Sequence, residues 1–430
     1  MLTPQAREEE AVDQDARRME VMMVKTYPML SSDGHLEVLP ERWTNRMPAK
    51  YRALAPHTTT LPDGSDAIVM EGSGPFKVNY IDLRGGRKAE DWQPVGVKVE
   101  NTPGIGPPGQ RVDEQDVDGL SAEVLFPNMA AGPGLWRNMQ DDAAYKAAVR
   151  AYNDWLAEEY CPVAPDRLIG MAVMPWTNID DALAELTHAA EMGLKGVLLG
   201  VFPSGKVYPT AEDDRFWAAA QEMGMPVTVH VGFNRNGPRA SEPMFLFPHA
   251  DPEVLKSTRH IVDYVARWGM DAAKSIAPLI LSGVFDRFPD FKIFFAETRV
   301  GWIPFWLEMA DYWYDKHLSW NKRLLGFTPP KRMPSEYIRD NIMLSVQHVE
   351  RTAIEMRHNL GLDHLMFATD FPHIECDWPE TRSYVERMFA GVPWGEAYPI
   401  LAGNMIKFFH LEDTPMAQKV EAQAKVAVWS

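Results

Sequence analysis

The chain has few cysteines, an excess of acid over base, and no long apolar run. Two of its 430 residues are cysteine, Cys161 and Cys376, which is too few for a disulfide framework and suits a reducing, cytoplasmic setting. Acidic residues outnumber basic ones 60 to 43, for a formal net charge of −17, which argues against nucleic acid or an anionic membrane as partners. No stretch approaches the ~20 apolar residues needed to span a membrane. The first ten residues are acidic rather than apolar, unlike a signal peptide. We therefore expect a soluble, cytoplasmic protein.

Hydrophobic residues are abundant, and they occur in a repeating pattern along the chain. Hydrophobic residues make up 46% of the chain and aromatic residues 11%, enough for a large buried core. Short, continuous apolar runs alternate with helical patterns, which is typical of a parallel sheet covered on both faces. The runs that predict strands are residues 29–37, 122–127, 168–174, 196–201, 226–231, 292–297, 342–347 and 365–370. Eight such units predict a (β/α)8 TIM barrel. A doubly wound sheet is the alternative, but no glycine-rich phosphate loop follows the first strand.

The pattern divides the chain into three parts. Residues 1–28 form a predicted charged N-terminal arm, residues 29–411 the barrel domain, and residues 412–430 a C-terminal tail. A long segment rich in proline and glycine, residues 39–118, interrupts the barrel after its first strand. Because this insertion leaves from the carboxyl end of that strand, it is predicted to form a lid over the same mouth of the barrel.

Side chains that can bind a metal fall at the predicted strand ends. Asp33 and His35 are two residues apart on the first strand, so they point to the same side. His230, Glu297 and Asp370 close later strands, and the strands of such a barrel end at one mouth, where catalytic groups lie. Carboxylates and imidazoles that converge need a cation to hold them together. The sequence therefore predicts one divalent metal site, and its predicted ligands are Asp33, His35, His230 and Asp370.

Each of these residues also has an ordinary explanation when it is taken alone. Asp33 and His35 could be a turn aspartate and a core histidine, since Asp-x-His is common in loops. His230 could be a buried core histidine, and Asp370 could cap the turn that follows it. The joint placement at successive strand ends favours the metal.

Six stretches, residues 32–35, 227–232, 283–289, 297–304, 367–373 and 403–409, resemble the amidohydrolase-related superfamily of metal-dependent barrels. The branch they resemble contains aminocarboxymuconate-semialdehyde decarboxylase and γ-resorcylate decarboxylase. The resemblance covers about residues 29–38 and 119–411. It implies that Asp33, His35 and His230 are the first three metal ligands. It further implies that Asp370 is the strand-8 carboxylate that binds the metal and exchanges protons, which we expect to happen near neutral pH.

Three departures from the family pattern matter. The first ligand is Asp33 where histidine is common, so the site is more anionic and suits Mn²⁺ or Fe²⁺ about as well as Zn²⁺. The sixth strand ends on Glu297 where other members place a histidine. The fourth strand does not end on lysine, since Lys195 lies before it, so a carbamylated-lysine bridge is not expected. A second metal held by Glu297 with His348 or His373 is left open.

These features predict an enzyme. The expected reaction is metal-dependent decarboxylation, or hydrolysis of a C–C or amide bond, in a small carboxylic acid. Asp370, His230 and Glu297 are the predicted catalytic groups. Arg299 as a carboxylate clamp, Trp302 and His373 are the predicted substrate contacts.

Two alternatives stay open: an iron-dependent, dinuclear oxygenase on the same scaffold, and a non-catalytic subunit of a hetero-oligomer. The predicted helix over residues 302–317 carries more aromatic surface than one helix face can bury. Such surfaces usually mark a partner site, so a homo-oligomer is expected.

Overall fold

The computed structural model describes most of the barrel and part of the insertion. The described residues are 27–70, 72–77, 85–86, 98, 102–128, 132–206, 208–233, 272–347 and 350–429. The predicted N-terminal arm therefore lies outside the described residues as far as residue 26, and so does His348.

Eight parallel strands form the central sheet, which confirms the predicted TIM barrel. In spatial order they are β1 (Leu30–Leu36), β5 (Ala122–Pro127), β6 (Leu168–Val173), β7 (Gly196–Leu199), β8 (Val227–His230), β9 (Ile293–Ala296), β10 (Ile342–Val346) and β11 (Leu365–Phe367). The last strand returns to the first, since the His35 N–H donates to the Phe371 carbonyl at 2.7 Å and the Asp370 N–H donates to the Asp33 carbonyl at 2.9 Å. These bonds bring the first and eighth strand ends into contact.

Both faces of the strands are apolar, which explains why their sequences are continuous apolar runs. Residues such as Phe126, Met171 and Met343 fill the barrel interior. Their neighbours along each strand, such as Leu125 and Leu344, face the surrounding helices. This alternation decides which side chains at the strand ends face the mouth.

Helices connect the strands, as the alternating pattern of the sequence predicts. The α-helices are Glu41–Thr44, Pro108–Asp118, Pro133–Trp136, Asp142–Trp155, Ile179–Glu191, Asp214–Glu222, Ala273–Leu281, Val284–Arg287, Ile303–Leu325, Pro334–Asn341, Arg351–Glu355, Arg357–Leu360, Thr381–Met388, Trp394–Tyr398, Asn404–Phe408 and Pro415–Lys425. Helix Ile303–Leu325 runs further than predicted and ends before Gly326, whose φ of 65° terminates it. None of the helices described here is long and apolar enough to cross a membrane.

The insertion contains structure of its own. A short helix (Glu41–Thr44) and a 3₁₀ turn (Ala49–Leu54) precede an antiparallel sheet of three strands, β2 (His57–Thr60), β3 (Asp66–Met70) and β4 (Ser73–Lys77). The Gly85 N–H donates to the Pro372 carbonyl at 2.9 Å, and the Trp378 indole N–H donates to the Glu114 carbonyl at 3.0 Å. The described parts of the insertion therefore contact the segment that follows the last strand.

The segment predicted as a C-terminal tail is packed against the barrel. Helix Pro415–Lys425 buries Met416, Ala417 and Val420 against the interior cluster. The Met416 N–H donates to Asp166, just before β6, at 2.9 Å, so this helix lies at the amino-terminal end of the barrel. That is the end opposite the predicted metal ligands.

Helix Ile303–Leu325 leaves large apolar side chains in solvent. Phe305 is 65% exposed, Tyr312 56% and Trp313 52%. The exposure agrees with the aromatic excess seen in the sequence. Self-association through this helix stays a prediction.

Candidate metal centre

The strand ends bring four of the predicted groups together. The two imidazoles face each other, with 3.1 Å between the Nε2 atoms of His35 and His230. Oδ1 of Asp33 lies 3.6 Å from the first Nε2 and 3.5 Å from the second. Oδ1 of Asp370 lies 3.1 Å from Nε2 of His35. All four side chains are at most 1% exposed, so the donors converge in a closed space.

An irregularity in β1 changes the direction in which its side chains point. The register between β1 and β5 shifts between Ser31 and Gly34, and such a bulge redirects the residues beside it. Local hydroxyl groups hold it: Ser31 Oγ donates to the Asp33 carbonyl at 2.7 Å and accepts the Thr369 N–H at 2.9 Å. The serines before Asp33 are therefore part of what presents the carboxylate to the mouth.

The proposed histidine and aspartate ligands differ in their hydrogen bonding. Nδ1 of His35 lies 3.3 Å from the Pro127 carbonyl, which can only accept, so Nδ1 carries the proton. In the neutral ring this leaves Nε2 as a metal ligand. Neither carboxylate oxygen of Asp33 has a hydrogen-bond partner among the described residues. Burial raises the pKa of Asp33 to about 7, and the nearby Asp370 adds to this while His35 opposes it. A buried, unpaired carboxylate beside two imidazoles fits a divalent cation.

Asp370 is held by two histidines. Its Oδ1 lies 3.1 Å from Nδ1 of His373, whose Nε2 lies 3.0 Å from Glu37. The His373 ring stacks on the His35 ring with 3.8 Å between centroids. Burial alone would raise the pKa of Asp370, but His373 and His35 hold it well below its usual range. This contradicts the near-neutral value expected from the sequence, because the sequence does not reveal the contact with His373.

A second acidic group lies beside the first. Oε2 of Glu297 is 3.3 Å from Nε2 of His230. Glu297, Asp370 and Glu375 each offer an oxygen, and these oxygens lie within 4.8 Å of one another. The Arg299 guanidinium bonds the Glu375 carboxylate. Burial, with repulsion from Asp370 and Glu297, raises the pKa of Glu375 to about 7. Glu375 was not predicted, because it lies in a loop with no pattern of its own.

Strained backbone is concentrated around the site. Four of the five non-glycine residues with positive φ in the described chain are at strand ends here: Val231 at 60°, Glu297 at 54°, Arg299 at 54° and Asp370 at 59°. Such conformations are costly for residues with a Cβ and persist where surrounding contacts impose them, often at functional sites. The strain is an independent reason to place function at this mouth.

Glu350 and Trp302 hold the strained loop in place. Buried Glu350 accepts N–H bonds from Val300, from Gly301 at 3.2 Å and from Gln347 at 3.0 Å. The Trp302 indole N–H donates to the Arg299 carbonyl at 2.9 Å. The predicted substrate contact Trp302 therefore has its polar atom engaged by backbone, and only its ring is left for a substrate. His348, a proposed second-metal ligand, lies outside the described residues.

A buried ion pair supports Gly34, between the two ligands of β1. Arg111, from helix Pro108–Asp118, bonds Glu123 at 2.7 Å and the Phe371 carbonyl at 3.1 Å. A Cβ on Gly34 would lie 2.2 Å from a Glu123 carboxylate oxygen and 2.8 Å from an Arg111 nitrogen. Glycine is thus required at this position by close approach.

We expect Gly34→Ala to lower the free energy of unfolding by about 1–3 kcal/mol, the usual range for overpacking, and to weaken metal binding. The control is Gly109→Ala on the exposed side of helix Pro108–Asp118, where an added Cβ meets nothing within 4 Å. Urea unfolding of the two variants measures the difference. Equal stability of Gly34→Ala and the wild type would contradict the packing argument.

Comparison with known proteins identifies the family of this chain. A family model described as amidohydrolase matches residues 93–411. γ-Resorcylate decarboxylase from Polaromonas sp. is 26% identical over 308 residues, which cover 69% of this chain and 87% of that protein. 2-Amino-3-carboxymuconate-6-semialdehyde decarboxylase from Dictyostelium discoideum is 24% identical over 270 residues, covering 62% and 66%.

Solved structures show the same fold. 5-Carboxyvanillate decarboxylase from Sphingomonas paucimobilis superposes with a TM-score of 0.59 at 21% identity, covering 89% of this chain and 99% of that one. Dihydroxybenzoic acid decarboxylase from Polaromonas sp., solved with manganese and 2-nitroresorcinol, gives 0.58 at 19% identity, covering 91% and 99%. The predicted resemblance and the expectation of an enzyme are confirmed: the chain belongs to the amidohydrolase family.

Proposed function

We propose that this chain is a metal-dependent decarboxylase of a small aromatic acid that carries a hydroxyl group beside its carboxylate. The observation that carries the proposal is the buried convergence of His35, His230 and the unpaired Asp33 carboxylate next to Asp370. Relatives named γ-resorcylate decarboxylase support the reaction class. The proposed metal ligands are Asp33, His35, His230 and Asp370.

Decarboxylation requires stabilisation of negative charge on the substrate and a source of a proton. When bound, a divalent cation supplies a positive charge that stabilises negative charge on the substrate oxygens. In decarboxylation the bond between the ring carbon and the carboxylate breaks, CO₂ leaves, and the electron pair stays on the ring carbon, which takes up a proton. Mn²⁺ is the first metal to test, because the dihydroxybenzoic acid decarboxylase structure contains it.

Asp370 is proposed to relay that proton rather than to store it, because its pKa lies well below its usual range. Its Oδ1 contacts His373, which in turn contacts Glu37, so a proton given up at Asp370 can be replaced from the imidazole. Arg299 is proposed to bind the substrate carboxylate. The guanidinium already bonds the carboxylate of Glu375. This contact supports the proposal that Arg299 can bind the carboxylate of a substrate.

Residues 39–118 are proposed to act as the lid of this mouth. The support comes from contacts of Gly85 with Pro372 and of Arg111 with Phe371, next to Asp370. Exclusion of water would strengthen the charge interactions inside the site.

The other candidate reactions receive less support. The relatives named above are decarboxylases, which favours decarboxylation over C–C or amide hydrolysis. The oxygenase alternative requires a pair of irons, and the relatives named above are decarboxylases rather than oxygenases. Turnover by the isolated chain would exclude a purely non-catalytic subunit.

The test is CO₂ release by purified, Mn²⁺-loaded protein offered 2,6-dihydroxybenzoate and 5-carboxyvanillate in parallel. We expect release from at least one of them, loss of release after chelation, and recovery when Mn²⁺ is returned. A metal-loaded protein that releases CO₂ from neither acid would contradict the proposal.

A further inference from the structure

Three carboxylates form a compact group on one side of the proposed metal site. They come from three separate places in the chain: Glu297 follows β9, Asp370 follows β11, and Glu375 lies in the loop after it. Their oxygens lie within 4.8 Å of one another. The side chains are 5%, 1% and 17% exposed, so water provides little screening between them.

A buried amide on the strand between those of Glu297 and Asp370 also points to a ligand. Gln347 follows β10, the strand between β9 and β11. It is 0% exposed, and neither its amide oxygen nor its nitrogen has a hydrogen-bond partner in the described chain. Alternation along the strand from Met343, an interior residue, directs Gln347 into the barrel mouth. An unpaired buried amide is costly, and a cation would satisfy its oxygen.

We propose that the mouth binds a second divalent cation between Glu297, Asp370 and Glu375, with the Gln347 amide oxygen as a neutral ligand. The inference rests on the first metal site of the proposed function and shares Asp370 with it. It differs from the ligand sets expected from the sequence, because His373 is engaged by Glu37 and Asp370. Glu375 takes its place.

The two sites differ in chemistry. The first contains two imidazole nitrogens, which suit Zn²⁺, Fe²⁺ or Mn²⁺, whereas the second contains oxygen alone, which suits Mn²⁺ or Mg²⁺. A cation in the second site would compete with Arg299 for Glu375 and free the guanidinium for the substrate carboxylate.

The test counts Mn²⁺ in the full-length chain. Metal-free protein is saturated with Mn²⁺, separated from free ion, and measured by elemental analysis and by electron paramagnetic resonance. We expect two ions per chain with the broadened spectrum of a coupled pair. Glu375→Gln and Gln347→Leu should each hold one ion with an uncoupled signal. The matched control is Glu212→Gln, an exposed carboxylate that is not part of the cluster, which should hold two.

One Mn²⁺ per wild-type chain would overturn the second site, as would two ions in both site variants. A wild type with one ion that releases CO₂ would overturn this inference and leave the proposed function standing. A wild type that binds none would overturn both. Thermal unfolding of each variant shows that it is folded, and if Glu375→Gln is not, Gln347→Leu decides.

Discussion

Asp370→Asn should lower the decarboxylation rate by about 100-fold or more, the range that general acid–base catalysis supplies. The amide keeps the size of the side chain and one oxygen, but it cannot carry the proton. It also loses the negative charge that faces His35 and His373, each with a nitrogen 3.1 Å from Oδ1. Because one oxygen remains as a ligand, we expect at least partial metal occupancy.

The measurement is kcat for CO₂ release, with metal content determined on the same sample. Asp290→Asn is the matched control, because Asp290 is exposed and precedes the amino-terminal end of β9, whereas Asp370 follows the carboxyl-terminal end of β11. A metal-loaded Asp370→Asn variant that releases CO₂ at the wild-type rate would show that this carboxylate has no catalytic role.

His35→Ala should abolish activity at metal concentrations that saturate the wild type. The side chain provides an Nε2 that faces both His230 and Asp370, and its Nδ1 is fixed by the Pro127 carbonyl. Loss of an outer contact to a metal ligand costs 10–100-fold in affinity. We therefore expect loss of the ligand itself to cost more than about 100-fold.

A titration of metal-free protein with Mn²⁺ measures this affinity for His35→Ala and for His358→Ala, whose imidazole is 60% exposed and pairs with Glu396. The control should bind like the wild type. Equal affinity of the two variants would remove His35 from the metal site.

The strand ends could be predicted because burial on both faces leaves a strong local pattern. Val227–His230 and Ile342–Val346 are apolar runs bounded by turns, and the polar residue that closes such a run lies at the mouth of a parallel barrel. Asp33, His35, His230, Glu297 and Asp370 were found by this reasoning alone. The structure brings their side chains together.

Residues that act through long-range contacts left no such pattern. Arg111 lies in a helix with little apolar character, yet it is buried against Glu123 and the Phe371 carbonyl. The register shift in β1 and the positive φ values at the strand ends come from tertiary contacts that a single sequence does not display.

The same limit explains why the sequence does not indicate two further residues of the site. Glu375 lies in a loop without periodicity, and only the packing of that loop brings it to Arg299. Glu350 lies just before the helix that begins at Arg351, and its carboxylate accepts three backbone N–H bonds. Neither contact follows from residue type or spacing.

The most direct test of the central claim is anomalous X-ray diffraction from crystals of the Mn²⁺-loaded protein. We predict a manganese peak about 2 Å from the donor atoms of Asp33, His35 and His230, with Asp370 completing the site. The account is contradicted if, at saturating Mn²⁺, no peak lies among these side chains or the manganese is found elsewhere in the chain.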